Sequence, residues 1–249
     1  DFNGGLGNEV TVAATTLNAN LAATSVSRGP GLNASALANV YGSNDFTLNG
    51  TFANAVTNGD YIQFTIAANA AFQTSLSTLD ANFRRSSTGP NTFQWQYSLD
   101  GFATAGNNIG AAISYTGTGT AGLAQAQIDL SVIPALQNVA NPAVITIRLY
   151  GYGATAITGT FGLGRPTTPT NDLAIGGTVL PAGGATPDIV LSSPNPAAPI
   201  SNIAQGSTNN VIYRFDLAVT TAAAVLNGVT INTAGTYLAT DITNFKLWY

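Results

Sequence analysis

Short runs in which apolar and polar residues alternate are the feature of this sequence that most constrains its fold. Tyr61–Ile66 has isoleucine or phenylalanine at every second position, and Phe93–Leu99 and Ala143–Tyr152 repeat the pattern. A period of two is that of a β-strand with one buried face. No long segment has the 3.6-residue period of an amphipathic helix. The sequence therefore predicts an all-β fold of the sandwich type.

Turn residues separate these runs. Asn49-Gly50 and Asn58-Gly59 are pairs that both tolerate positive φ, so we expect a tight hairpin at each. Asp100-Gly101 is expected to end the strand before it. Only two stretches, Ala34–Val40 and Ser131–Val139, are compatible with short helical turns.

One face of the run Phe93–Leu99 is entirely apolar. Phe93, Trp95, Tyr97 and Leu99 share it. An indole and a phenol so close together are also able to stack on a sugar ring. Because all four side chains lie on one face, we favour packing in the core.

The segment 181–187, Pro-Ala-Gly-Gly-Ala-Thr-Pro, is typical of a linker. It divides the chain into a domain at 1–180, whose last strand is Asp172–Leu180, and a domain at 188–249. The second domain has expected strands at Ile189–Leu191 and Val211–Val219, a hairpin at Asn227-Gly228 and a terminal strand. It is 62 residues long, whereas an immunoglobulin-like sandwich needs about 100, so we expect it to be incomplete.

Four short runs carry a resemblance to a known class of module; they are Ser27–Leu32, Arg84–Pro90, Tyr97–Phe102 and Ile147–Tyr152. Together they resemble a jelly-roll, galactose-binding-like module of secreted bacterial surface proteins. The tail, through Gln205–Asn210 and Asp241–Tyr249, resembles the start of a repeated immunoglobulin-like module. The resemblance implies a jelly-roll β-sandwich followed by a smaller immunoglobulin-like β-sandwich, with no catalytic motif and no defined ligand.

Composition excludes most catalytic chemistry. The chain has no His, Cys or Met, and only 7% of it is charged, which removes the usual nucleophile systems and the ordinary metal ligands. Its single Glu, Glu9, and its scattered aspartates do not suggest a glycosidase pair. We therefore predict no enzyme and no cofactor.

Charge and hydropathy also bear on partners. The net charge is −4 with seven basic residues, which argues against nucleic acid. No apolar run reaches the roughly 20 residues of a membrane span. The lack of Cys and Met together, and a first residue that is not Met, favour an exported chain located outside the cell or on its surface.

Three groups of residues are candidate binding sites. Arg148, Tyr150 and Tyr152 lie on the face opposite Ile147 and Leu149 and are the candidate contacts for a glycan.

Arg84-Arg85 is able to bind a carboxylated sugar through bidentate hydrogen bonds. We favour instead a structural role, in which one arginine pairs with an acidic residue such as Asp80 or Asp100 and so fixes a loop. Asp60 and Asp100-Gly101 are able to contribute to a structural calcium site, although as turn residues they need no ion.

Two functions remain open. The first is a structural subunit of an extracellular filament, sheath or fibre, in which copies join head to tail. Its assembly seam would be the terminal strand residues Phe245, Leu247, Trp248 and Tyr249. We expect that incomplete edge to receive a strand from another copy, with Asp1–Val12 as the candidate donor. The alternative is a carbohydrate-binding or adhesive module of a larger secreted protein, with polysaccharide as its partner.

Overall fold

The computed structural model describes residues 1–165, 171–183, 188–193, 197–198, 202–204, 206–220, 226–230, 232, 236, 238 and 246. The chain divides into two compact units, Asp1–Gly183 (unit 1) and Gly184–Tyr249 (unit 2). The division falls within the segment 181–187.

Unit 1 consists of strands with one short α-helix and one 3₁₀ turn. The strands are β1 (Thr11–Ala13), β2 (Ser25–Arg28), β3 (Asn33–Ala34), β4 (Tyr41–Asn44), β5 (Tyr61–Ala67), β6 (Phe72–Arg85), β7 (Thr92–Ser98), β8 (Asn107–Ser114), β9 (Leu123–Ala124), β10 (Ile128–Asp129), β11 (Val139–Ala140), β12 (Val144–Tyr152), β13 (Phe161–Leu163) and β14 (Leu173–Pro181). The helix α1 spans Phe52–Asn58, and the 3₁₀ turn spans Pro134–Leu136.

These strands form two antiparallel sheets. The first has six strands in the order β1-β2-β5-β12-β7-β8. The second has the path β10-β6-β13-β4-β3, with β9, β11 and β14 also paired to β6. The long strand β6 therefore organises the second sheet, pairing with β14 along most of its length and with β13 at its end.

One hydrophobic core lies between the two sheets. The first sheet contributes Ile62, Phe64 and Ile66, as the alternation of the sequence predicts. Phe93 from the first sheet meets Phe161 from the second, with ring centroids 4.5 Å apart. The all-β prediction is confirmed; the jelly-roll and immunoglobulin-like assignments stay predictions.

Strand β7 is covered on both faces. Trp95 is 1% exposed and its Nε1–H donates to Gln125 Oε1 at 2.9 Å, so the prediction that it belongs to the core is confirmed. Leu99, by contrast, is 44% exposed. The prediction for Leu99 is wrong because the strand ends at Ser98 and the chain turns away there.

The two hairpins predicted at Asn-Gly pairs are replaced by α1. Thr51 is its N-cap: the Asn54 N–H donates to Thr51 Oγ1, and the Thr51 N–H donates to Asn54 Oδ1. Gly59 ends the helix as a left-handed C-cap with φ of 78°. Left-handed φ suits a helix C-cap as well as a hairpin, and the Thr51-x-x-Asn54 capping pattern was the signal that decides between them.

Of the two predicted helical turns and the predicted last strand of unit 1, one turn and the strand are present. The 3₁₀ turn falls within Ser131–Val139 as expected, whereas Ala34–Val40 begins in β3 and continues as turns and irregular chain. The strand expected at Asp172–Leu180 is present as β14.

In the part of the chain that the structure describes, no helix is both long enough and apolar enough to cross a membrane.

The opening segment 1–12 is packed into its own unit. Phe2 is buried and stacks on Tyr41, with ring centroids 5.9 Å apart. Its N–H donates to Asp172 Oδ2 at 2.8 Å, and Arg28 donates to the carbonyl oxygens of Gly7 and Glu9. The expectation that this segment is a free donor strand is therefore wrong, because buried Phe2 and the bonded backbone groups of Gly7 and Glu9 hold it in unit 1. Two other large apolar side chains of the segment, Leu6 and Val10, are exposed.

Unit 2 contains an antiparallel pair, β15 (Asp188–Ser192) and β16 (Asp216–Thr220). The first contains the expected strand Ile189–Leu191. The second starts later than the predicted Val211–Val219. No strand flanks Asn227-Gly228 within the described stretch 226–230.

We expect Trp95→Ala to lower the free energy of unfolding of unit 1 by about 3–5 kcal/mol, as for other large buried aromatics. Leu99→Ala is the matched control, because Leu99 follows the last residue of β7 and is exposed. It should lower the free energy of unfolding by less than about 1 kcal/mol. Urea unfolding followed by fluorescence or circular dichroism measures both. Equal losses in the two variants would contradict the assignment.

Candidate functional site

A recess lies on the outer face of the six-stranded sheet, where β12 and β7 run side by side. Helix α1 and the loop 100–106 form its walls. Its volume is about 280 Å³. It is lined by Phe52, Val56, Gln96, Phe102, Thr104, Ala105, Gly106, Arg148 and Tyr150. Two of the three candidate glycan contacts, Arg148 and Tyr150, are therefore brought together here.

The guanidinium of Arg148 is held between two aromatic rings. Its central carbon lies 3.9 Å from the ring centroid of Tyr61 and 4.0 Å from that of Phe102. Its Nε–H donates to Gln63 Oε1 at 2.9 Å, and Nη1 donates to the Tyr150 hydroxyl at 3.3 Å. Contact with two rings and hydrogen bonds to two side chains restrict the orientation of the charged group.

Tyr150 is buried, contrary to the surface position expected from the strand pattern. It is 1% exposed, with Phe52 and Tyr61 edge-on to it at 5.5 and 5.4 Å between ring centroids. Burial raises the pKa of its phenol, which the hydrogen bond from Arg148 partly opposes. The face was predicted correctly, but α1 covers it.

Tyr152, the third candidate, lies at the margin of this cluster. It is partly buried, its ring contacts Phe52 at a centroid distance of 6.1 Å, and it does not line the recess. Burial raises the pKa of its phenol. The structure thus places Tyr152 behind the recess wall.

The loop after β7 positions Phe102. The Ser98 hydroxyl donates to Asp100 Oδ1 and accepts the N–H groups of Asp100 and Phe102. Asp100 Oδ2 accepts the N–H and hydroxyl of Thr104. These bonds allow Phe102 a φ of 66° and bring its ring over Arg148.

The candidate calcium residues take part in local hydrogen bonds. Asp60 is buried and accepts the N–H and hydroxyl of Thr47 at 2.9 and 2.7 Å; burial raises its pKa. Hydrogen bonds from Ser98 and then Thr104 lower the pKa of Asp100 to about 2. Among the described residues, no three His, Cys, Asp or Glu side chains are grouped to hold a metal ion.

Within the Arg84-Arg85 pair, Arg85 fixes a loop, though not through an acidic partner. The buried Arg85 donates from Nη2 to the carbonyl oxygens of Ser87 and Gly89 at 2.9 and 3.0 Å. Asp80 accepts hydrogen bonds from Gln127 instead. The prediction of an aspartate partner is wrong, because backbone carbonyls of the following turn lie within reach.

A second recess lies on the same face of the sheet, towards β1 and β2. Its volume is about 410 Å³, it is more open, and small side chains such as Thr24 and Ser27 dominate its lining. Gln63 lines it and also accepts the hydrogen bond from Arg148. It has no charged side chain in its lining, and we place the candidate site at the Arg148 recess.

The predicted assembly seam falls outside the described residues. Phe245, Leu247, Trp248 and Tyr249 are outside the described residues, while Lys246 between them is exposed. The seam therefore stays a prediction.

No family model, curated protein or solved structure matches this chain significantly.

Sequence reasoning missed several residues of the recess. Phe52, Gln96 and Phe102 were not proposed as site residues, although Phe102 follows the Asp-Gly turn that was recognised. The missing signal was the helix: without α1, nothing in the strand pattern indicates that the outer face of β12 is partly enclosed.

Replacement of Ser98 by Ala removes the hydrogen bond that lowers the pKa of Asp100 most. We expect this pKa to rise from about 2 towards its ordinary 3.8. A hydrogen bond to the carboxylate favours the charged form. Because the folded-state pKa is depressed, the stabilisation of the loop is present above 3.8 and is lost as pH falls through about 2.

The measurement is an NMR titration of the Asp100 carboxyl carbon. Ser131→Ala is the matched control, since Ser131 donates to Asp129 and should move only that pKa. An unchanged pKa of Asp100 in Ser98→Ala would contradict the account of the loop.

Proposed function

We propose that unit 1 is a non-catalytic carbohydrate-binding module of a larger extracellular protein, and that it binds a saccharide in the Arg148 recess. The observation that carries the proposal is the combination of apolar ring surface with fixed polar groups in one cavity. Phe52 and Phe102 supply the rings, and Arg148 supplies N–H donors. Ligand cavities of this type pair aromatic walls with a few oriented polar groups.

The chemistry of a sugar ring fits this arrangement. A pyranose has apolar C–H faces that pack on aromatic rings and hydroxyls at its edge that form hydrogen bonds. The Gln96 amide, which donates to Asn108 Oδ1 at 2.9 Å, retains acceptor capacity at the recess through its oxygen. The side chains of the recess therefore offer both donors and acceptors next to ring surface.

The proposed location and lack of catalysis have separate support. The chain has no His or Cys, and its short sequence runs resemble modules of secreted bacterial surface proteins. A binding module needs neither a nucleophile nor a general acid and base.

A screen against a glycan array, followed by calorimetry with the glycans that bind, tests the proposal. Phe102→Ala removes a ring from the recess wall and should weaken binding at least tenfold. Tyr213→Ala, which removes an exposed aromatic side chain in unit 2, is the control and should leave affinity unchanged. Full affinity in Phe102→Ala, or no bound glycan, would overturn the proposal.

A second candidate function is the structural subunit that polymerises by strand addition. It is favoured by unit 2, where the apolar side chains on both faces of β15 are exposed: Ile189 by 47%, Val190 by 46% and Leu191 by 65%. An uncovered apolar strand of this kind favours association. Because segment 1–12 is held in unit 1, the donor in this proposal is another segment.

Sedimentation velocity of the full chain over a range of concentrations tests the second candidate. We expect concentration-dependent growth that Val190→Lys abolishes. Val132→Lys, at an exposed apolar residue of unit 1, should assemble normally. A chain that stays monomeric at every concentration would contradict assembly through β15.

A further inference from the structure

Arg148 carries a charge that no acidic group of the described chain neutralises. Its contacts with the described residues are neutral: the rings of Tyr61 and Phe102, the amide of Gln63 and the hydroxyl of Tyr150. A partly buried cation needs an anionic partner or several neutral acceptors, because removal from water is costly. Arg28 and Arg85 each donate to two or more backbone carbonyls, whereas Arg148 donates to one amide and one hydroxyl. The missing partner is the observation on which this inference depends.

The nearby acid does not supply that partner. Asp100 lies in the same loop as Phe102, but its two carboxylate oxygens accept hydrogen bonds from Ser98 and Thr104. These bonds hold the carboxylate within its own turn. The Asp100 carboxylate therefore has its hydrogen-bond partners inside the loop.

Arg148 also retains hydrogen-bonding capacity. A guanidinium has five N–H groups, and among the described residues only Nε–H and one N–H of Nη1 find acceptors. Three N–H groups remain, and Arg148 lines the recess. A planar guanidinium with free N–H groups binds two oxygens of one anionic group in parallel.

We propose that the saccharide bound in the recess is acidic, and that its carboxylate or sulfate group accepts hydrogen bonds from Arg148. This inference rests on the proposed function and names the chemical class of the ligand. The two aromatic rings hold the guanidinium in place before binding, so the charged contact requires no rearrangement of the side chain. A neutral sugar leaves the charge without a partner.

The test compares paired probes on the full chain by calorimetry. Oligogalacturonides and oligoglucuronides of four residues are set against their carboxyl-reduced, neutral forms, and a sulfated galactan tetrasaccharide against its desulfated form. We expect at least one acidic probe to bind tenfold or more tightly than its neutral pair. Which pair shows the difference distinguishes a carboxylate from a sulfate.

Two variants test whether Arg148 causes the preference for acidic over neutral saccharides. Arg148→Gln should reduce the acidic-to-neutral ratio to about twofold or less, whereas Arg84→Gln removes an equal charge outside the recess and should leave the ratio unchanged. A parallel loss in Arg84→Gln would overturn the proposal by showing a general charge effect.

The comparison with the unsubstituted chain stands even if Arg148→Gln unfolds. Equal or tighter binding of the neutral forms overturns the acidic ligand while the carbohydrate-binding function survives. Failure of every glycan to bind, on the array and by calorimetry, overturns both.

Discussion

The burial of both faces of the central strands in the six-stranded sheet is the constraint on which the rest of unit 1 depends. The inner face packs in the hydrophobic core, and the outer face carries polar side chains that are also buried, among them Gln94, Gln96 and Ser98. Buried polar groups must find hydrogen-bond partners. Gln94 donates to the carbonyl oxygen of Trp95, and Gln96 to Asn108. Gln96 also donates to the carbonyl oxygen of Gly106, so polar bonds tie β7 to β8 and to the loop 100–106 over this face.

The same requirement explains how the start of the chain is held. Arg28 stacks on Tyr41 at 3.8 Å from the ring centroid and donates to carbonyl oxygens of Gly7, Glu9 and Gly42. Burial lowers the pKa of this arginine, and the charges of Tyr41 and Glu9 oppose that effect. Backbone carbonyls thus satisfy a partly buried cation, and the opening segment becomes part of the sandwich.

Strand positions were predictable from the sequence because the period of two is set by the backbone alone. The inward side chains Ile62 and Phe64 follow from it directly. What the pattern leaves open is which other segment covers the outward face. The pattern predicts the correct face for Tyr150 but not its burial, since its cover comes from Phe52 of α1, about 100 residues earlier in the chain. The recess combines side chains from segments that no local pattern connects.

The backbone of Phe102 has a consequence for how the loop tolerates change. Its φ of 66° lies in the left-handed region, which disfavours a residue with a bulky side chain by about 1–2 kcal/mol. Glycine would relax that strain, although it would also give the unfolded chain more conformational freedom. The chain nevertheless has an aromatic residue at this strained position, and the ring of that residue lies over Arg148. Under the proposed function, backbone strain and ligand contact therefore oppose each other at Phe102.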